Sequence, residues 1–126
     1  MSNGTSAMAR TVLLVEDDTI LQSLIVEALS LIDLDAAECA TAAEAMAILE
    51  RDHGHVLVLT DICMPGEMDG LELAKTIWGR WPQLPVIVSS GNRVVSHGSL
   101  PANAMFMRKP WALDTLHEAV KSLLDN

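Results

Sequence analysis

The chain has 126 residues, with 17 acidic against 8 basic side chains and a formal net charge of −9. This charge argues against direct binding to a nucleic-acid backbone, and no apolar run approaches the roughly 18 residues of a membrane-spanning helix. Two cysteines, Cys39 and Cys63, are too few for a disulfide framework. We expect one globular domain in the cytoplasm, because the first residues lack the features of an export signal.

The chain begins with small and polar residues, and we predict a flexible leader over residues 1–9 ahead of a single domain over residues 10–126. An apolar run, Thr11–Val15, is typical of a strand covered on both faces. Asp18 then suits the N-cap of a helix from Thr19 to about Ile32. Apolar residues cover about half of this helix, so we interpret it as well buried, with the alternative that its outer edge contacts a partner.

Strand and helix patterns alternate through the rest of the chain. A weak strand over Asp35–Ala40 precedes the capping box Thr41–Glu44, and a second capping box, Asp69–Glu72, opens a third helix. Further apolar runs predict strands over Val56–Leu59, Pro85–Val88 and Ala104–Arg108. The final helix carries apolar residues at helical spacing: Leu113, Leu116, Val120, Leu123 and Leu124. The alternation predicts an α/β domain with a doubly wound, five-stranded parallel sheet.

Three further features of the sequence lead to separate expectations. His53-Gly54-His55 has a spacing that could chelate a metal, but we favour a solvated turn that ends the second helix. The segment Asn92–Asn103 is rich in helix breakers, so we expect the fourth helix to be short or irregular. His117, in the last helix, has no evident partner, and we expect it to be solvated.

Polar side chains directly follow four of the predicted strands: Glu16 and Asp17, then Asp61, then Ser90, then Lys109. In a doubly wound sheet, ligands bind outside the carboxyl ends of the strands, so we expect these side chains to converge. Three carboxylates held close together repel unless a cation lies among them, and Mg²⁺ prefers such oxygen ligands. A carboxylate beside Mg²⁺ can be the nucleophile of a phosphoryl transfer. We therefore predict a site that forms an aspartyl phosphate, with Lys109 and Ser90 donating to its oxygens.

Four motifs follow one another in a fixed order: Val15-Glu16-Asp17; Asp61-Ile62-Cys63-Met64-Pro65 with Met68-Asp69-Gly70; Pro85-Val86-Ile87-Val88-Ser89-Ser90; and Phe106 with Lys109-Pro110. This ordered set resembles the receiver domain of two-component response regulators, over essentially all of the chain from Thr11 to Leu124. The resemblance implies a flavodoxin-like fold. It also implies a stand-alone, chemotaxis-regulator-like receiver, since few residues remain for an output domain.

The resemblance implies a phosphoacceptor and a metal site. Asp61 would be the phosphoacceptor and one ligand of Mg²⁺. Asp17 would bind the metal directly and Glu16 largely through water. The backbone carbonyl of Cys63 would be a further ligand. The loop after Asp61 is one residue longer than the family pattern, and the extra length adds the negative charge of Glu67 near the site.

The resemblance also implies a conformational switch. Ser90 would bind the phosphoryl group and swing inward, with Phe106 changing rotamer as its coupled partner. Lys109 would pair with the phosphoryl oxygens, and the Lys109–Pro110 peptide bond would be cis, a form rarely seen except before proline. Ser90 and Phe106 stand where the family more often has threonine and tyrosine, so the hydroxyl of that tyrosine is missing.

The resemblance names the partners by class. The phosphoryl donor would be a sensor histidine kinase or a histidine phosphotransfer protein, and the receiver would be a monomer or a phosphorylation-dependent dimer that acts by protein contacts, binding neither nucleic acid nor membrane. We do not expect an enzyme. One alternative is a non-phosphorylated receiver-like scaffold, which has no need of the acid, serine and lysine set. Another is a magnesium-dependent phosphatase, disfavoured because Cys63 stands where haloacid-dehalogenase-like enzymes have a second aspartate.

Overall fold

A computed structural model of the chain describes residues 10–62, 68–91 and 100–124. Its strands are β1 (Arg10–Val15), β2 (Leu34–Cys39), β3 (His55–Asp61), β4 (Val86–Ser90) and β5 (Ala104–Arg108). Its helices are α1 (Thr19–Ser30), α2 (Ala42–Arg51), α3 (Gly70–Arg80) and α4 (Leu113–Leu124). The predicted alternation is confirmed. The leader, Cys63 and most of the segment predicted to hold a short fourth helix lie outside the described residues.

The five strands form one parallel sheet in the order β2-β1-β3-β4-β5. This confirms the doubly wound α/β fold. The strand order reverses between β1 and β3, where the chain passes from one half of the sheet to the other. Val15 of β1 lies beside Thr60 of β3, and Asp61 lies beside Ser89 of β4. The residues that follow β1, β3 and β4 therefore meet at one edge, which we call the carboxyl edge.

Alternate strand residues feed two hydrophobic cores, one on each face of the sheet. The first core lies under α1 and α4, and its fully buried members include Leu14, Leu29, Leu57, Ile87 and Leu116. The second core lies under α2 and α3, and its fully buried members include Leu13, Val58, Leu73, Ile77 and Val88. Each such side chain contributes about 1.5–3 kcal/mol on burial, so both faces hold the sheet rigid.

The helix starts are held by the predicted caps. Asp18 Oδ1 accepts hydrogen bonds from the backbone N–H groups of Ile20 at 3.0 Å and Leu21 at 3.1 Å. Both capping boxes are formed, by Thr41 with Glu44 and by Asp69 with Glu72. Each cap is worth about 1 kcal/mol. None of the described helices is long and apolar enough to cross a membrane.

Two histidine predictions need correction. His53 and Gly54 are exposed between α2 and β3, as predicted for a turn, but His55 begins β3, and its buried Nδ1 has no hydrogen-bond partner in the described part of the chain. His117 is not merely solvated, because its Nε2 lies 2.8 Å from the carbonyl oxygen of Ala28. That carbonyl belongs to the last turn of α1, where the helix itself supplies no donor. His117 therefore joins α4 to the end of α1.

Candidate functional site

The adjacent strands β1 and β3 bring three carboxylates together at the carboxyl edge. Glu16 and Asp17 directly follow β1, and Asp61 ends β3. One oxygen from each of these side chains lies within 4.8 Å of the other two. The backbone fixes this position, because Glu16 N donates to Cys39 O at 3.0 Å and Ile62 N donates to Ser89 O at 2.9 Å. The convergence expected from the strand ends is therefore present.

Among the residues that the structure describes, one ammonium group lies among these acids. Lys109 Nζ is 3.2 Å from Glu16 Oε1 and 3.1 Å from Asp61 Oδ2. The backbone N–H of Lys109 donates to Ser90 O at 3.0 Å, and the Lys109–Pro110 peptide bond is cis. Three carboxylates facing one ammonium leave the site with an excess of negative charge, which is the setting for a divalent cation.

Burial and neighbouring charges shift the pKa of Glu16 and of Lys109. The side chain of Glu16 is only 4% exposed. Burial raises the pKa of Glu16, and the Asp61 charge adds to this, against the hydrogen bond from Asp18 N–H and the charge of Lys109. Burial alone would lower the pKa of Lys109, but its hydrogen bond to Asp61 and the nearby charges of Glu16 and Asp61 outweigh it and raise the pKa. Lys109 therefore stays cationic at neutral pH.

The two predicted switch residues lie on the second-core face of the sheet. Ser90 is fully buried at the end of β4, in alternation with Val86 and Val88 of the second core. Phe106 packs against the same core and pairs with Val88 in the sheet. Ser90 thus lies on the same face of the sheet as Phe106, at the edge where Asp61 ends its strand. Cys63, the remaining predicted ligand, lies outside the described residues.

Two contacts that hold the elements around the site in place were not predicted from the motifs. Gly70 N donates to Ile62 O at 2.8 Å, and a Cβ on Gly70 would stand 1.7 Å from the carbonyl oxygen of Asp61. Only glycine lets α3 begin this close to the Asp61 strand. Trp111 Nε1 donates to Ser89 Oγ at 3.1 Å. A glycine directly after an N-cap was a visible signal for the first contact, whereas no spacing pattern marks the second.

Two apolar side chains on the outer face of α1 are exposed. Ile25, Ala28 and Leu29 are buried, which agrees in part with the burial predicted for this helix. Ile20 is 75% exposed and Leu24 is 58% exposed. The buried stripe of α1 is therefore narrower than the sequence indicated. Ile20 and Leu24 form an exposed apolar strip that follows Asp17 within a few residues of the chain.

A family model described as the response regulator receiver domain matches residues 12–121. The response regulator receiver protein CpdR of Brucella abortus is 30% identical over 118 residues, which are 91% of this chain and 97% of that protein. The transcriptional regulatory protein DctD of Rhizobium meliloti is 34% identical over 121 residues. This match takes in 90% of this chain but only 25% of that regulator, so the chain spans about a quarter of this longer relative.

Solved structures agree with the sequence relatives. A CheY-like receiver domain protein from Methanospirillum hungatei superposes with a TM-score of 0.82 at 29% identity, covering 93% of this chain and 94% of that one. A response regulator receiver protein from Sinorhizobium medicae gives a TM-score of 0.86 at 25% identity, covering 94% and 97% of the two chains. The family match falls within the domain predicted over residues 10–126, and the leader remains a prediction.

Proposed function

The chain belongs to the family of response regulator receiver domains of two-component systems, and on that premise we propose that Asp61 accepts a phosphoryl group. The observation that supports this most directly is the convergence of Glu16, Asp17 and Asp61 with Lys109 at the carboxyl edge. A structural scaffold gains no stability from three carboxylates held together, since their repulsion is only partly offset by one lysine.

The acids suit a magnesium ion. Their ligand atoms are hard carboxylate oxygens, and their summed negative charge exceeds the positive charge of Lys109. Burial raises the pKa of Glu16, and a bound cation would favour its charged form. Asp17 and Asp61 would bind the ion directly, Glu16 through water, and Cys63 through its backbone carbonyl. Bound there, Mg²⁺ supplies positive charge that neutralises the phosphoryl oxygens during transfer.

The transfer makes Asp61 the nucleophile. A carboxylate oxygen of Asp61 attacks the phosphorus and forms a new P–O bond, while the P–N bond to a donor histidine breaks and the imidazole leaves with the electron pair. The ammonium of Lys109 contacts Asp61 Oδ2 at 3.1 Å before the transfer, and afterwards it pairs with a negatively charged phosphoryl oxygen. The hydroxyl of Ser90 binds a second oxygen, and Phe106 repacks on the same face, which shifts a two-state equilibrium.

The donor is a protein that carries a phosphohistidine, either a sensor histidine kinase or a histidine phosphotransfer protein in the cytoplasm. A relative named sensor kinase CckA, from Brucella abortus, shares 36% identity over 119 residues, although the match covers only 12% of that kinase. We place the donor against the exposed apolar strip of α1, because Ile20 and Leu24 are exposed and follow Asp17 closely in the chain. The phosphorylated receiver then acts through protein contacts and turns over no external substrate.

The test is the mass of the intact protein after incubation with acetyl phosphate and Mg²⁺. We expect one added phosphoryl group in the wild type and none after chelation of the metal or in Asp61→Asn. Glu50→Gln, a matched loss of one carboxylate on the exposed surface of α2, should be phosphorylated like the wild type. Absence of an adduct, with rapid quenching and with a panel of histidine kinases as donors, would favour the scaffold alternative.

A further inference from the structure

We propose that Trp111 is a positioning residue for Lys109 and that it acts through its hydrogen bond to Ser89, an inference that rests on the proposed phosphoryl transfer. Trp111 Nε1 donates to Ser89 Oγ at 3.1 Å, and Ser89 is only 3% exposed. Lys109 lies two residues before Trp111, across Pro110. The bond therefore ties the turn that carries the lysine to a buried point of β4.

Ser89 is directly connected to the phosphoacceptor strand. It pairs with Asp61 in the register of β3 and β4, and its carbonyl oxygen accepts from Ile62 N at 2.9 Å. The same residue thus holds the end of the Asp61 strand through its backbone and the lysine turn through its side chain. The distance between Asp61 and Lys109 is in this way fixed through Ser89, independently of the ion pair between them.

The turn is anchored at two neighbouring residues of β4. Lys109 N donates to Ser90 O, and the Trp111 indole binds the side chain of the preceding residue, Ser89. Ser89 alternates with Ser90, so its side chain points to the first core, against which Trp111 packs. A small space of about 10 Å³ is lined by residues that include Asp61, Ser89, Lys109 and Trp111.

This anchoring has a specific use during transfer. The ammonium of Lys109 contacts both Glu16 and Asp61 before the reaction and must move to a new oxygen afterwards. A fixed backbone lets the flexible lysine stem make that movement without displacing the turn. A phenylalanine at position 111 would keep an aromatic ring in the core but would leave Ser89 Oγ without its donor.

The experiment compares Trp111→Phe, Ser89→Ala and their double variant in the full chain. Trp78→Phe is the matched control, because the buried indole nitrogen of Trp78 has no hydrogen-bond partner in the described structure. The first measurement is the NMR signal of the Lys109 ε-methylene in lysine-labelled protein, assigned with Lys109→Arg. The second is the rate constant for phosphorylation by acetyl phosphate, together with the dissociation constant for Mg²⁺.

We expect both single variants to move the Lys109 signal towards that of a solvated lysine, by the same amount and with no further change in the double variant. Their phosphorylation rate constants should fall by roughly two- to tenfold, as for the loss of one hydrogen bond, while Mg²⁺ affinity stays unchanged. Trp78→Phe should change neither measurement. A purely structural role for Trp111 would instead lower Mg²⁺ affinity along with the rate.

The proposal fails if the Lys109 signal stays in place in both Trp111→Phe and Ser89→Ala, or if the two effects add. Failure of the proposed function is a different result, in which the wild type takes no phosphoryl group. The Lys109 signal is measured in the resting protein, so it decides the positioning role in that case too.

Discussion

The two ends of the parallel sheet differ in how their charges are balanced. At the carboxyl edge, the described residues bring the carboxylates of Glu16, Asp17 and Asp61 together with one ammonium, that of Lys109, which contacts Glu16 and Asp61. At the amino end, Arg80 and Glu50 form a one-to-one pair at 2.7 Å with both side chains about half exposed. A groove of about 990 Å³ opens there, lined by residues that include Arg80, Trp81, Pro82 and Pro85.

In the part of the chain that the structure describes, cavity size and charge balance point to opposite ends. At the carboxyl edge, a space of about 10 Å³ is lined by Glu16, Asp61 and Lys109, and one of about 450 Å³ by Lys109, Pro110 and Trp111, against about 990 Å³ at the amino end. A balanced, solvated ion pair contributes little and needs no ligand. Repelling carboxylates held by a rigid sheet cost stability unless a cation lies among them. On the proposed function, the imbalance of charge therefore marks the end of the sheet where the phosphoryl group is transferred.

The largest difference is expected between two glycines of α3. Gly70→Ala places a Cβ 1.7 Å from the carbonyl oxygen of Asp61, whereas a Cβ on Gly79 meets nothing within 4 Å. We expect Gly70→Ala to lower the free energy of unfolding by about 3 kcal/mol or more and Gly79→Ala to raise it by about 0.5–1 kcal/mol. Urea unfolding measures both. Equal stabilities for the two variants would show that the start of α3 is not tightly fixed against the Asp61 strand.

Magnesium should stabilise the protein through the carboxyl edge alone. At a concentration one hundred times its dissociation constant, Mg²⁺ should raise the free energy of unfolding by about 2.7 kcal/mol. We expect most of this gain to disappear in Asp17→Ala and in Asp61→Asn and to persist in Glu50→Gln. Urea unfolding with and without Mg²⁺ provides the measurement. A full gain in Asp17→Ala would remove that residue from the metal site.

The pH dependence of stability should reveal the buried acid at the same edge. The pKa of Glu16 is raised above its ordinary 4.5, so the folded state holds this proton more tightly than the unfolded chain does. Stability from Glu16 is therefore fully present below pH 4.5 and is lost as pH rises through the raised value. Without Mg²⁺, Glu16→Gln should gain stability relative to the wild type between pH 4.5 and pH 7. A fall in the stability of Glu16→Gln relative to the wild type as pH rises over this range would contradict the raised pKa of Glu16.

The smallest effect is expected at the amino end. Glu50→Gln breaks the pair with Arg80 but leaves the guanidinium 4.5 Å from the centre of the Trp81 ring. An exposed pair of this kind is worth about 0.2–1 kcal/mol, less at high salt. Urea unfolding at two salt concentrations measures this loss. A decrease of several kcal/mol in the free energy of unfolding, or slower phosphorylation by acetyl phosphate, would show that the two ends of the sheet do not differ in this way.

The sequence predicted the elements because their signals are local. The predicted bounds of β5, Ala104–Arg108, are the bounds observed. Both capping boxes follow from pairs of residues three positions apart. The acids and Lys109 were found for a related reason, since each directly follows an apolar strand and parallel strands end at one edge. The resemblance to a family then implies a finer role for each residue, such as direct metal ligand or switch residue, than the strand ends alone indicate.

The missed contacts join residues that are distant in the sequence. The hydrogen bonds from Trp111 to Ser89 and from His117 to Ala28 depend on how helices and strands pack, and no periodicity encodes them. The exposure of Ile20 was missed because an apolar residue on a helix predicts burial unless the neighbouring helices are known. The close approach of Gly70 to Asp61 likewise appears only when α3 is placed against the end of β3.

The most direct test of the account locates the phosphoryl group. Borohydride reduces an aspartyl phosphate to homoserine, so the protein is phosphorylated with acetyl phosphate and Mg²⁺, reduced, digested and sequenced by mass spectrometry. We expect homoserine at position 61 and nowhere else, with none in a sample treated with a chelator. Homoserine at position 17, or 5-hydroxynorvaline at position 16, would contradict the assignment of Asp61 as the phosphoacceptor.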